Sequence, residues 1–265
     1  MKRDRLMLEF YLTLIGMVFV LLVLTGSTFA WFTQTASVNT DVYSASVDGG
    51  TPSLLIAGSK EDEFDTDCQL VPDVLPQALY PVSTADLDTF FVSTAVKEDG
   101  ITYRYGKADL NQTLIHGTVY LKSINGTNRV YFDDEKFDVS MVDGSDVGLR
   151  LGLVIKEHSY IFNLDRNNED GRNTIEVETD SVVSKIDEQG NPTYSDDLSV
   201  DVTQYQADGE KDGEKSLVTI QEDEVVEVEY WVYLEGCDHN CFNVIQNKDL
   251  QITLGFQGVT VDEQE

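Results

Sequence analysis

The 265-residue chain carries 48 acidic against 18 basic side chains, a formal net charge of −30. A surface of that sign repels nucleic-acid phosphates and anionic membranes, which excludes a nucleic-acid binder. With 41% hydrophobic and 10% aromatic residues, the chain has the apolar content of a folded protein rather than of a disordered one.

The N-terminus points to the compartment. It reads Met-Lys-Arg-Asp-Arg, then runs without charge from Phe10 to Phe32, and is most apolar between Leu14 and Leu24. A basic start, an apolar run and a small-residue boundary make a secretory signal. Thr28 and Ala30 stand at positions −3 and −1 of such a boundary, before Trp31. The run is also long enough for an uncleaved membrane anchor, since a spanning helix needs about 20 residues. The small, polar tail from Thr25 to Ala30 favours cleavage. Either way the basic end stays cytoplasmic and the rest goes outside. Residues 1–30 are therefore read as a signal helix, and 31–265 as one elaborated domain, secreted or on the cell surface. Contact with the membrane is expected only through the N-terminal segment.

Past the boundary the pattern has period two, the mark of half-buried strands. A first strand is expected within Ser37–Asp48. Further candidates follow in GTVYLK, RVYFD, SYIFN and NTIEVE. Phe137, Val139 and Met141 share one face, as do Leu149, Leu151, Leu153 and Ile155. So do Leu198, Val200 and Val202, and later Leu250, Ile252, Leu254 and Phe256. The clearest run puts Val226, Val228, Tyr230, Val232 and Leu234 on one face and Glu227, Glu229, Trp231 and Tyr233 on the other. Trp231 and Tyr233 would either stack on carbohydrate or pack beneath a loop. Gly-, Asp- and Asn-rich clusters separate the runs and supply turns. Short helices are expected within Ser83–Ala95, capped by Ser83 or Thr84, and after Asp238. The acidic stretch Gly58–Asp73 and the charged stretch Gln206–Lys215 read as loops. Many short strands between such turns predict an all-β, jelly-roll-like antiparallel sandwich.

The three cysteines are too few for a disulfide framework. Cys237 and Cys241 could bridge only across a turn, which Gly236 and Asp238 could supply. Two stretches carry a resemblance to a family. In LTGSTFAWFTQTASVNTDVYSASVDG a small-residue cleavage site precedes an aromatic pair, a Thr/Ser/Asn-rich run and a first strand. In YWVYLEGCDHNCFNVIQNKDLQITLGFQG a W-x-x-L-E-G-x-D-x-x-C pattern falls on Trp231, Leu234, Glu235, Gly236, Asp238 and Cys241. Together these resemble the TasA/camelysin family of SipW-dependent secreted proteins of Gram-positive biofilm matrices and cell surfaces. Cys237 departs from the pattern.

The resemblance implies a jelly-roll-like sandwich, processing by a specialised signal peptidase, and a place in the matrix or envelope. It also implies self-association, or association with related matrix proteins, by donation of the N-terminal strand. The donor here would lie within Trp31–Val47, with Val38, Val42 and Val47 as its apolar positions; the opposing reading is that this segment folds back into its own sandwich.

Camelysin-like relatives have been classed as metallopeptidases, but only His116, His158 and His239 are present, and none forms H-E-x-x-H. His239 between Cys237 and Cys241 lacks an evident fourth zinc ligand. Calcium is the better metal candidate, at Asp165, Asn167 and Glu169. There the glycine of an EF-hand loop is displaced to Gly171, with Asp170 where the tight turn falls. No catalytic constellation is evident. The reading is an exported, non-enzymatic structural or assembly protein without a resident cofactor. The alternative is a monomeric surface-binding module for a glycan, a host ligand or calcium; the secreted metallopeptidase is disfavoured by the histidine count.

Overall fold

The computed structural model describes residues 36–37, 43–47, 53–96, 103–141, 148–164, 181–207, 215–238, 241 and 249–261. The chain divides into two units, Met1–Gln34 and Thr35–Glu265, and all the described residues lie in the second. The signal segment, the second expected helix after Asp238 and the NTIEVE strand fall outside them. Among the described residues, no helix is long and apolar enough to cross a membrane.

The strands run β1 Ala36–Ser37, β2 Tyr43–Val47, β3 Leu54–Ala57, β4 Asp67–Gln69, β5 Ala78–Leu79, β6 Pro81–Val82, β7 Phe91–Val96 and β8 Tyr103–Lys107. After a one-turn helix, α1 Leu110–Thr113, come β9 Ile115–Ser123, β10 Asn128–Asp133, β11 Asp138–Met141, β12 Leu149–Ile155 and β13 His158–Asn163. The remainder are β14 Ser181–Ile186, β15 Pro192–Asp196, β16 Val200–Asp201, β17 Gln206–Ala207, β18 Val218–Ile220, β19 Val225–Glu235 and β20 Leu250–Thr260.

These build an all-β sandwich. Sheet I has the order β17-β10-β20-β2-β4, with β11 also on β20 and β18 also on β10. Sheet II has the order β16-β13-β12-β19-β9-β3, with β6 also on β19. The long pairings are antiparallel. Parallel pairing joins β2 to β20 over five residues, and β17 to β10, β16 to β13 and β6 to β19 over two each.

The core lies between the sheets and is the set of faces that alternation marks. Val226, Val228, Tyr230, Val232 and Leu234 of β19 and Leu149, Leu151, Leu153 and Ile155 of β12 face it from sheet II. Val139 and Met141 of β11, with Leu250, Ile252, Leu254 and Phe256 of β20, face it from sheet I. Each such side chain contributes about 1.5–3 kcal/mol by leaving water. The first apolar residue of one expected face is different. Leu198 is 79% exposed, because the strand begins only at Val200 and gives way at once to a 3₁₀ turn over Val202–Tyr205.

Both flanks of the sandwich are closed by segments that cross between the sheets. On one, β3 ends sheet II and β4 ends sheet I, and Ile56 and Asp65 exchange backbone hydrogen bonds between them. On the other, β16 ends sheet II and β17 ends sheet I, joined through the 3₁₀ turn. Such short edge strands leave little ladder for a stray strand to extend. The acidic stretch expected as one loop therefore contains an edge strand, β4.

The helix expected within Ser83–Ala95 is absent; a turn and β7 stand in its place. Thr84 Oγ1 accepts from the amides of Asp86 and Leu87, and Asp86 Oδ1 accepts from those of Asp88 and Thr89. These side-chain bonds compete with the helical ladder. Leu87 then takes a left-handed backbone (φ 61°) and drops its side chain onto Gly152 of β12.

Candidate functional site

Two places concentrate what the sequence singles out: the seat of the N-terminal strand in sheet I, and the C-terminal end of β19 on the outer face of sheet II.

β2 occupies an interior position of sheet I. Tyr43–Val47 pairs in parallel register with Ile252–Phe256 of β20, and Ser44–Ser46 pairs antiparallel with Gln69–Asp67 of β4. Val47 is 1% exposed and belongs to the central core. Its amide donates to Thr66 O at 2.8 Å, and its carbonyl accepts from Lys136 Nζ at 2.6 Å. Upstream, β1 pairs with β5 (Ala36 with Leu79, Ser37 with Ala78). Of the donor positions expected from sequence, Val47 is thus a core residue of its own sandwich. Val38 and Val42, like Thr28, Ala30 and Trp31, lie outside the described residues.

The outer face of sheet II is half covered. Residues 78–96 and 103–114 fold over it, burying Trp231 and Tyr233 against Val82, Leu87, Phe90 and Leu114. Phe90 meets Tyr233 edge-on at 5.4 Å, and His116 stacks on Trp231 at 4.8 Å. These aromatics pack under a loop rather than forming an exposed platform. The uncovered half carries Tyr120, whose hydroxyl donates to Glu227, and the ion pair of Lys156 with Glu224.

Beneath this cover lies a buried polar cluster. Arg150, 1% exposed, donates to Asp238 at 2.9 Å, to Asp197 at 3.3 Å and to Asn163 Oδ1 at 3.1 Å. Burial works against its charge, but Asp238 and Asp197 outweigh it and hold Arg150 above the ordinary arginine range. Glu235, 2% exposed, accepts from the amide of Cys237 at 3.0 Å and bonds the Ser83 hydroxyl. Burial pushes its carboxyl up to about 8, against the pull of Ser83, the Cys237 amide and Arg150. Ser83 Oγ also accepts from the amide of Val183. One hydroxyl and one carboxyl thus tie the β14–β15 hairpin, the segment after β6 and the end of β19 together. Arg150 Nε and the Tyr233 hydroxyl are buried without a hydrogen-bond partner, and burial drives the Tyr233 phenol well above its usual range.

The cysteines are free thiols, so the candidate bridge between Cys237 and Cys241 is not formed. Their surroundings explain this. Cys237 packs with Phe91, Tyr105 and Val183 and lies 3.5 Å from the Tyr105 hydroxyl. Cys241 packs against the central core beside Gly148. The turn between them is present (the Asp238 amide donates to Glu235 O, that of Cys241 to Asp238 O) but sends the thiols to different clusters. Burial, with Glu235 and Asp238 respectively, raises Cys237 to about 11 and Cys241 to about 12; burial and Asp67 raise Cys68 to about 11.

Among the described residues, no group of three or more His, Cys, Asp or Glu side chains could hold a metal ion. The calcium candidates Asp165, Asn167 and Glu169, and His239, lie outside those residues. Arg150, Asp197 and Lys136 are not marked by the sequence analysis, and Ser83 is marked there only as a helix cap. The one signal for Arg150 was its place as the single charge in the strand LRLGLVI. The chain matches no family model, no curated protein and no solved structure.

Proposed function

We propose that this chain is an exported, non-enzymatic structural protein of a Gram-positive cell envelope or extracellular matrix, which assembles with its own kind by donating its N-terminal strand. The observation that carries this reading is the seat of β2. The strand completes the interior of sheet I, yet it is only five residues long, comes from the chain's N-terminal end and is covered on its far side by three residues of β4. A strand from a second copy could satisfy the same β20 edge. Cleavage before Trp31 would free the segment that carries it. The buried acids support a non-enzymatic reading, because they neutralise Arg150 and hold the segments after β15 and β19 on β12.

The second reading is a monomeric surface-binding module, favoured by the fact that β2 is seated in its own chain. N-terminal sequencing of the exported form, and comparison of proteins beginning at Trp31 and at Ser53, separate the two. Donation predicts that only the longer form polymerises, with new N-termini at Trp31. Two forms that both stay monomeric across pH and calcium would leave the binding module.

A further inference from the structure

β2 is held by a backbone ladder, which any strand of matching length could provide, and by the buried Val47 side chain. A further contact is different in kind. The corner between β10 and β11 is tied by Asp133, whose carbonyl accepts from the amides of Lys136 (3.2 Å) and Phe137 (2.8 Å) and whose Oδ1 accepts from that of Glu135 (3.0 Å). This corner lies directly over Gly255, where an added Cβ would come within 2.7 Å of Lys136 C and Phe137 N. Gly255 is the register partner of Ser46. The corner therefore sits at the end of β2 and delivers the Lys136 ammonium to the Val47 carbonyl at 2.6 Å, with Asp133 Oδ2 3.8 Å from the same nitrogen.

We propose that Lys136 is a latch on the N-terminal strand, closing over its last carbonyl and setting the rate at which the strand leaves its own sandwich for that of a second copy. The proposal rests on the strand-donation reading for its biological use, but not for its physics. A hydrogen bond from a charged donor is stronger than a neutral one, and this one must break before β2 can peel from β20. A strand arriving from another copy would present the same carbonyl to the same ammonium. The latch is therefore present in the self-complemented and in the exchanged state alike. It slows the exchange and leaves the balance between the two states unchanged.

The test uses the full chain after cleavage before Trp31, the form that the donation reading requires, as wild type, Lys136→Met and Lys136→Arg. Hydrogen exchange followed by mass spectrometry reads the opening of Tyr43–Val47 directly. Lys136→Met should speed exchange there roughly tenfold, the scale of one charge-assisted bond, and leave the β12–β13 hairpin unchanged. Lys136→Arg should restore slow exchange. Assembly should become faster by a similar factor in Lys136→Met and reach the same final extent. Exchange in β2 within twofold of wild type would overturn the latch, as would equal acceleration in β2 and β12–β13. Faster opening of β2 with no assembly by any form would leave the latch standing and reject strand donation instead.

Discussion

Arg150 and Asp238 meet at 2.9 Å where β12 passes the end of β19, with side chains only 1% and 3% exposed. Asp197 reaches the same guanidinium from the segment after β15. One cation thus gathers two carboxylates that are distant in the chain, and in doing so ties the segments after β15 and after β19 to β12 of sheet II. A buried pair of this kind adds little over apolar packing, but breaking it leaves an uncompensated charge that costs about 3–5 kcal/mol.

Arg150→Met should therefore destabilise by about 3–5 kcal/mol, measured by urea unfolding at pH 7. Replacing both acids as well (Arg150→Met with Asp197→Asn and Asp238→Asn) should recover a good part of the loss, because no buried charge is then unpaired. Equal losses in the single and triple variants would show that the cluster acts through shape rather than charge.

Glu235 predicts a pH dependence. Its folded value of about 8 lies above the ordinary 4.5. The folded state therefore holds its proton more tightly than the unfolded chain does. Its contribution is fully present below about 4.5 and is lost as pH rises through about 8, at about 1.4 kcal/mol per unit in between. Glu235→Gln, which keeps the shape and cannot ionise, should be no more stable than wild type at pH 5 and more stable at pH 8.5. Parallel stability curves for the two proteins across that range would contradict the assignment.

How far the sequence reaches depends on the range of the interaction. The core faces of β12, β19, β11 and β20 were legible because alternation is local, and every residue named on them is buried. The turn at Thr84–Leu87 was misread because helical spacing and a capping residue also suit a side-chain-bonded turn. What decides between them is Gly152 of β12, against which Leu87 packs. The parallel seat of β2 joins residues some 209 apart and the reach of Lys136 to Val47 joins residues 89 apart, and neither has a local signature. The end of β19 was flagged by its motif, but its partners Arg150, Asp197 and Ser83 come from three other segments.

The close approach at Gly117 makes a packing prediction. Gly117 faces Tyr230 across the β9–β19 ladder, and an added Cβ would fall 2.5 Å from the Tyr230 hydroxyl oxygen and 2.7 Å from Cζ. Tyr230 is 1% exposed within the central core, so its ring has little room to move. Gly117→Ala should cost about 1–3 kcal/mol, the usual scale of overpacking. Gly117→Ala combined with Tyr230→Leu should regain part of it. A fully stable Gly117→Ala would mean that the ring has a second place to lie.

The thiols give the last prediction. Only the thiolate is nucleophilic, and burial holds Cys68, Cys237 and Cys241 near 11, 11 and 12. At pH 8 each is almost wholly protonated, and each is only partly exposed. Iodoacetamide should therefore modify the native chain far more slowly than the urea-unfolded chain, in which all three should react at the rate of a free cysteine. Modification should track opening of the fold, so variants that loosen the outer layer, such as Arg150→Met, should expose Cys237 before Cys68. Mass spectrometry of the labelled peptides reads the order directly. Rapid labelling of Cys237 in the native wild type would show that the covering segments open far more often than the buried cluster beneath them allows.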